Sequence, residues 1–110
     1  MEEELMNLNI SVDEAVKKIK KAKIGSSFEV ENVRTINASD KKVVIIVASM
    51  YFIRAKNYAA ATIIFDDTTG TTRMQIIISG SGYGAAGIDH GAEESFYNKV
   101  LNVFYEDIKH

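Results

Sequence analysis

The chain has 110 residues, of which 46% are hydrophobic and 25% charged, and this composition is typical of a single globular domain spanning residues 1–110. It contains no cysteine, which excludes disulfides, thiolate metal sites and cysteine nucleophiles. Its net charge of −2 argues against a general nucleic-acid binder, whose contact domain is usually basic. The N-terminus lacks the features of a secretory signal, and the longest apolar stretch, 43–53, is too short to cross a membrane. We therefore expect a cytoplasmic protein without a nucleic-acid or membrane partner.

In chain order, the first predicted elements are a short strand over residues 5–10 and a helix over 12–23. Ser11 is a suitable N-cap for this helix, and Glu14 three residues later completes a capping box. Apolar residues recur at helical spacing, and Gly25 is a natural stop. The lysines of this helix have no aromatic residue among them for base stacking, so they predict a solvated face and not a nucleic-acid contact.

The middle of the chain predicts consecutive antiparallel strands separated by short turns. Alternation and β-branched residues place these strands at 27–36, 43–54, 58–65 and 71–79, with a bulge in the first. A final helix over 92–108 carries one apolar stripe. The order β-α-β-β-β-β-α predicts an α+β fold in which two helices cover one face of an antiparallel sheet. This is the element order of TATA-binding-protein-like and helix-grip folds.

The two faces of the sheet follow from the period of two along each strand. Met74, Ile76 and Ile78 should face the helices. The central strand is apolar on both faces, so either the set that begins at Val43 or the set that begins at Val44 remains on the second face. This second face is predicted to carry an apolar patch that includes Ala60, Ile64 and Ile77. Because such a patch usually marks an interface or a groove, we predict a homodimer, with a ligand groove or a covering loop as the alternatives.

A glycine-rich segment, residues 80–91, joins the last strand to the final helix. It contains a literal G-x-G-x-x-G at Gly82, Gly84 and Gly87. In a dinucleotide-binding domain this pattern follows a parallel strand and opens the helix directly. Here the preceding strand closes an antiparallel hairpin, and acidic residues at the predicted helix start would repel a phosphate. We therefore predict no cofactor and a glycine-rich connection, with a lid over a pocket as the alternative.

Several polar residues are candidates for a small-molecule site. Arg73, with Tyr58 on the same predicted face, could anchor an anionic group, and Tyr83 and His90 belong to the glycine-rich segment. One internal histidine makes a poor metal site, and no serine has the surroundings of a nucleophile elbow, so we predict no metal and no catalytic residue. The predicted function is a non-enzymatic binding or interaction domain that self-associates. The alternative is a small-molecule binder or enzyme that uses a groove beside residues 80–91.

Four runs of the chain resemble a family of small bacterial proteins classed as a domain of unknown function. They are Tyr51-Phe52-Ile53-Arg54-Ala55-Lys56-Asn57, Thr69-Gly70 with Arg73, Ser79-Gly80-Ser81-Gly82, and Asp89-His90-Gly91-Ala92-Glu93-Glu94-Ser95-Phe96. The resemblance covers about residues 11–108. It implies a free-standing bacterial domain with no assigned activity, no known cofactor and no catalytic residues to transfer. It therefore supports the domain prediction and adds nothing to function.

Overall fold

The computed structural model describes residues 5–53, 56–80 and 90–109. The elements within these ranges are, in chain order, β1 (Leu5–Leu8), α1 (Val12–Lys21), β2 (Glu29–Ala38), β3 (Lys41–Phe52), β4 (Asn57–Asp66), β5 (Thr72–Gly80), α2 (His90–Val103) and a 3₁₀ turn (Tyr105–Asp107). The predicted lid, the glycine pattern at 82–87 and Tyr83 lie outside the described residues.

The five strands form one antiparallel sheet in the order β1-β5-β4-β3-β2. β2 to β5 are a meander, and α1 carries the chain across to the far edge from β1, which pairs with β5. Apolar side chains of both helices pack into one cluster with β3, β4 and β5, so both helices cover the same face. The predicted α+β fold is confirmed.

The boundaries of the strands differ from the predicted ones by one or two residues. β2 and β3 meet at a two-residue turn in which Ser39 takes a φ of 59°, whereas the sequence predicted a longer turn. The tight turn lets both strands pair up to Ala38 and Lys41. The predicted bulge is confirmed between Val30 and Asn32.

The first helix confirms the capping box and corrects the helix end. The Ser11 hydroxyl accepts from the Glu14 amide at 3.1 Å, and the Ser11 amide donates to Glu14 Oε1 at 3.0 Å. The helix ends at Lys21, since Ala22 is extended, so Gly25 is not its stop. Gly25 lies close to Met50 instead: a Cβ there would lie 2.6 Å from Met50 Sδ, so the methionine side chain would have to shift.

The last helix also ends earlier than predicted, at Val103 instead of residue 108. A 3₁₀ turn follows, and Ile108 then forms an antiparallel bridge with Leu8. The Asn9 amide donates to the Asp107 carbonyl at 2.7 Å and the Lys109 amide to the Asn7 carbonyl at 2.8 Å. The C-terminal segment therefore adds extended pairing beside β1, where the apolar stripe predicted more helix.

Candidate functional site

The structure decides which side of the central strand is open. Val44, Ile46, Ala48 and Met50 are at most 4% exposed beneath the helices. The set that begins at Val43 therefore points to the other side of the sheet. This second side is called the open face below, because neither described helix packs on it.

Strand pairing arranges the residues of the open face in rows, since directly opposite residues of antiparallel strands share a face. The central row contains Asn32, Val47, Thr62 and Ile77. Towards the β2–β3 turn follow the Ile45 row (Arg34, Ile45, Ile64, Gln75 and Leu5) and the Val43 row (Ile36, Val43, Asp66, Arg73 and Asn7). Towards the opposite end follow the Ser49 row (Glu29, Ser49, Ala60 and Ser79) and the tyrosine row (Tyr51 and Tyr58).

The three residues predicted for the apolar patch lie on the open face. Ala60, Ile64 and Ile77 are half-buried, as are the β3 residues between them and β2. The patch extends to both edges of the sheet, where Leu5 is 58% exposed and Ile36 is 51% exposed. Their role in an interface stays a prediction, but the alternation of the strands located them correctly.

The polar candidates are not brought together. Arg73 lies in the Val43 row, where its Nη2 is 2.9 Å from Asp66 Oδ1. Tyr58 lies at the other end of the face, with its ring centroid 5.1 Å from that of Tyr51. Eight residues of β3 separate the two rows, which is roughly 26 Å along a strand. His90 begins α2, but its side chain, like Tyr83, lies outside the description, so the ligand-binding role of these four residues stays a prediction.

A pocket of about 360 Å³ lies on the helix side of the sheet, between the end of β3, the loop after α1 and the start of α2. Met50 and Phe52 contribute apolar surface, and Ser95 and Lys99 of α2 contribute a hydroxyl and an ammonium group. Sequence reasoning predicted a groove at this end of the molecule but named none of these residues. The one sequence feature that could have indicated the pocket was Gly25. The sequence predicted it as a helix stop, and the structure places it against Met50.

One ionisable group outside the open face has a perturbed pKa. The Lys42 ammonium donates to Asp13 Oδ1 at 2.8 Å, which joins β3 to α1. This hydrogen bond and the charge of Asp13 raise the pKa of Lys42 above its ordinary value of 10.5. The pair lies near the surface, so it links two elements and does not form a reactive centre.

Comparison with protein families identifies the family of this chain. Residues 1–106 match DUF6054, a family of unknown function. The chain belongs to this family. The match confirms the resemblance to a small domain of unknown function, and the unknown function of DUF6054 agrees with the sequence prediction. No curated protein and no solved structure matches the chain, so the TATA-binding-protein-like label and the bacterial source stay predictions.

Two further findings describe this DUF6054 domain. Within residues 5–53, 56–80 and 90–109, no three acidic or histidine side chains lie close enough together to hold a metal ion. Neither helix in those ranges combines the length and the apolar content needed to cross a bilayer.

Proposed function

We propose that this DUF6054 domain is a non-enzymatic interaction domain that forms a twofold dimer through the open face of its sheet. The observation that carries the proposal is the group of aliphatic side chains on β3, β4 and β5 (Ile45, Val47, Ile64 and Ile77) on a face that neither described helix covers. Ile45, Ile64 and Val47 are half-buried there, and a contiguous apolar patch of this kind usually marks an interface. A second sheet would remove them from water.

The size of the open face fits one copy of the same domain. Its four long strands have 9 to 12 residues each. At about 4.8 Å between strands and about 3.3 Å per residue, they cover roughly 20 by 33 Å, or roughly 650 Å² before side-chain relief is counted. A standard interface takes about 800 Å² from each partner. The flat area is somewhat below this value and side-chain relief adds to it, so the face is of the size that a dimer interface needs. We propose the dimer as a cytoplasmic assembly.

A charged substitution at the centre of the open face tests this proposal. Val47→Glu places a carboxylate in the central row, where it would be buried in the dimer at a cost of several kcal/mol. We expect size-exclusion chromatography with light scattering to give a dimer for the wild type and a monomer for Val47→Glu. The control is Tyr105→Glu, since Tyr105 is exposed in the 3₁₀ turn outside the sheet. Equal masses for wild type and Val47→Glu, with a folded circular dichroism spectrum, would refute the proposal.

A second candidate function is binding of a small amphipathic anion, and the pocket at the end of β3 favours it. Its volume lies within the range of ligand sites, about 300–1,000 Å³. Met50 and Phe52 would contact an apolar body, and Lys99 would contact the anionic group. No acidic residue occurs among the described lining residues to compete for Lys99.

The fluorescent anion anilinonaphthalene sulfonate is a suitable probe for this second candidate. We expect it to bind the wild type and to bind Lys99→Gln about tenfold more weakly, which corresponds to about 1.4 kcal/mol for one charge-assisted contact. Lys20→Gln is the matched control, because Lys20 lies on the exposed side of α1. Equal affinities for the wild type and Lys99→Gln would exclude the pocket as the binding site.

A further inference from the structure

The apolar side chains of the open face are distributed about its central row. Two rows lie on each side, so a twofold axis along the central row places every row of one copy over a row of the other. Most residues on the side of the β2–β3 turn are aliphatic. On the other side, the outermost row consists of two tyrosines. The members of the first group are Leu5, Ile36, Val43, Ile45 and Ile64, and those of the second are Ala60, Tyr51 and Tyr58. An axis at this level therefore places the Ile45 row over the partner's Ser49 row and the Val43 row over the partner's tyrosine row.

The charges of β2 are arranged about the same row. Glu29 lies in the Ser49 row. The Ser49 hydroxyl donates to a carboxylate oxygen of Glu31, at the bulge, and this hydrogen bond holds the carboxylate on the open face. Arg34 lies in the Ile45 row, on the other side of the central row. Arg34 is exposed, and no hydrogen bond or ion pair joins its side chain to another residue of the described ranges. The Glu31 carboxylate is thus held beside Ser49 and Arg34 pairs with Ile45, so an acidic and a basic group of β2 lie on opposite sides of the central row.

We propose that the dimer axis runs across the strands at the central row, so that Arg34 of each copy contacts Glu31 of the partner subunit. This inference rests on the proposed function. An axis across the strands reverses their direction and places β2 over the β2 of the other copy. The Ile45 row then lies over the partner's Ser49 row, and the two charges meet twice by symmetry.

The reach of the two side chains is sufficient for this contact. Packed sheets lie about 10 Å apart and are rotated by about 30°. At β2, about 10 Å from the middle of the sheet, this rotation shifts facing residues by about 5 Å along the strand. Arginine and glutamate are long enough to span both the gap and the shift. Each pair lies at the rim of the interface, where it sets orientation more than affinity.

The other simple arrangement, with the axis parallel to the strands, gives a poorer match of charge. It keeps the strand direction and places β2 over the opposite edge of the sheet. Arg34 would then lie over Leu5 or Gln75, which share its row and carry no negative charge. The guanidinium group would then have no carboxylate partner to fix the orientation of the two copies. The charge pattern therefore selects the axis across the strands.

Charge reversal tests the orientation. Glu31→Arg and Arg34→Glu each place like charges together in the proposed dimer, and we expect each to weaken dimerisation by about tenfold or more, measured by sedimentation equilibrium. The double variant restores opposite charges and should return to near wild-type affinity. An equimolar mixture of the two single variants should form heterodimers in native mass spectrometry. Lys20→Glu, a charge reversal on the exposed side of α1, is the control and should leave the affinity unchanged.

Two further variants separate the inference from the proposed function. Glu31→Gln keeps a hydrogen-bond acceptor for Ser49 and removes the charge, so it should weaken the dimer less than Glu31→Arg does. A double variant as weak as the single variants, with dimerisation still abolished by Val47→Glu, would overturn the orientation and leave the proposed function standing. A wild type that remains monomeric would overturn both.

Discussion

Asp66 and Arg73 form the best-connected polar pair of the open face, and its removal should measurably destabilise the domain. Asp66 Oδ1 accepts from Arg73 Nε at 3.2 Å and Nη2 at 2.9 Å, and from the Thr68 amide at 3.3 Å and hydroxyl at 2.9 Å. The two residues are directly opposite each other on β4 and β5. Asp66→Ala therefore breaks the cross-strand pair and the hairpin contact together.

The burial of the two side chains sets the expected magnitude. The side chain of Asp66 is 12% exposed and that of Arg73 is 29% exposed, so the pair is only partly screened by water. Exposed pairs contribute about 0–1 kcal/mol, and breaking a fully buried pair costs about 3–5 kcal/mol. We expect Asp66→Ala to lower the free energy of unfolding by about 2 kcal/mol and Arg73→Ala by about 1 kcal/mol. Their coupling energy should be about 1 kcal/mol.

A double-mutant cycle by urea denaturation measures this coupling. All four proteins must be compared at one protein concentration, because dimerisation makes apparent stability concentration-dependent. A coupling energy below about 0.3 kcal/mol is within the error of additivity and would refute the reasoning. It would also mean that Asp66 does not hold Arg73. The guanidinium group would then be available to bind an anion, as the sequence predicted.

Ser11→Ala should destabilise the domain by about 1 kcal/mol, because it removes the hydroxyl that caps α1. Unchanged amide exchange in the first turn of α1 would contradict this. Gly25→Ala should lower the melting temperature and Gly25→Ala with Met50→Ala should lose less than the sum of the two single losses, since the new Cβ would lie 2.6 Å from Met50 Sδ. Additive losses would show that the close contact carries no strain. The stabilisation from the raised pKa of Lys42 should be fully present below its unfolded value near 10.5 and lost as pH rises through the higher folded value. The stability gap between wild type and Asp13→Asn should therefore be constant at neutral pH and close in strong alkali, and a gap that persists there would refute the role of this pair.

The sequence predicted the features that depend on local pattern. The capping box at Ser11 is a contact between residues three apart, and the bulge in β2 follows from a break in alternation. The positions of Ile64 and Ile77 on the open face follow from the period of two. Each of these signals is contained in a short segment, so tertiary packing did not need to be known.

Features that depend on distant parts of the chain were not predicted. Both faces of β3 are apolar, so only the packing of the helices shows that Val43 points away from them. The apolar stripe of α2 continues to Ile108, which bridges to Leu8 instead of extending the helix. The partner of Arg73 could have been found, because Asp66 and Arg73 flank the β4–β5 turn symmetrically in an antiparallel hairpin.

The lining residues of the pocket beside α2 were not predicted, because they too are distant from one another in the sequence. Its lining comes from three separate parts of the chain, the loop after α1, the end of β3 and α2. Gly25 was the only residue whose type indicated that a side chain could lie close to the backbone there. Single glycines do not reveal which distant residue they contact, so the identity of Met50 as its neighbour required the fold.

The mass of the wild-type domain in solution tests the central claim most directly. Sedimentation equilibrium over a wide range of protein concentration should give a mass that approaches twice the chain mass of 12.2 kDa. The same measurement on Val47→Glu should give the mass of a single chain throughout. A wild-type mass that stays at 12.2 kDa at the highest concentration would contradict self-association through the open face.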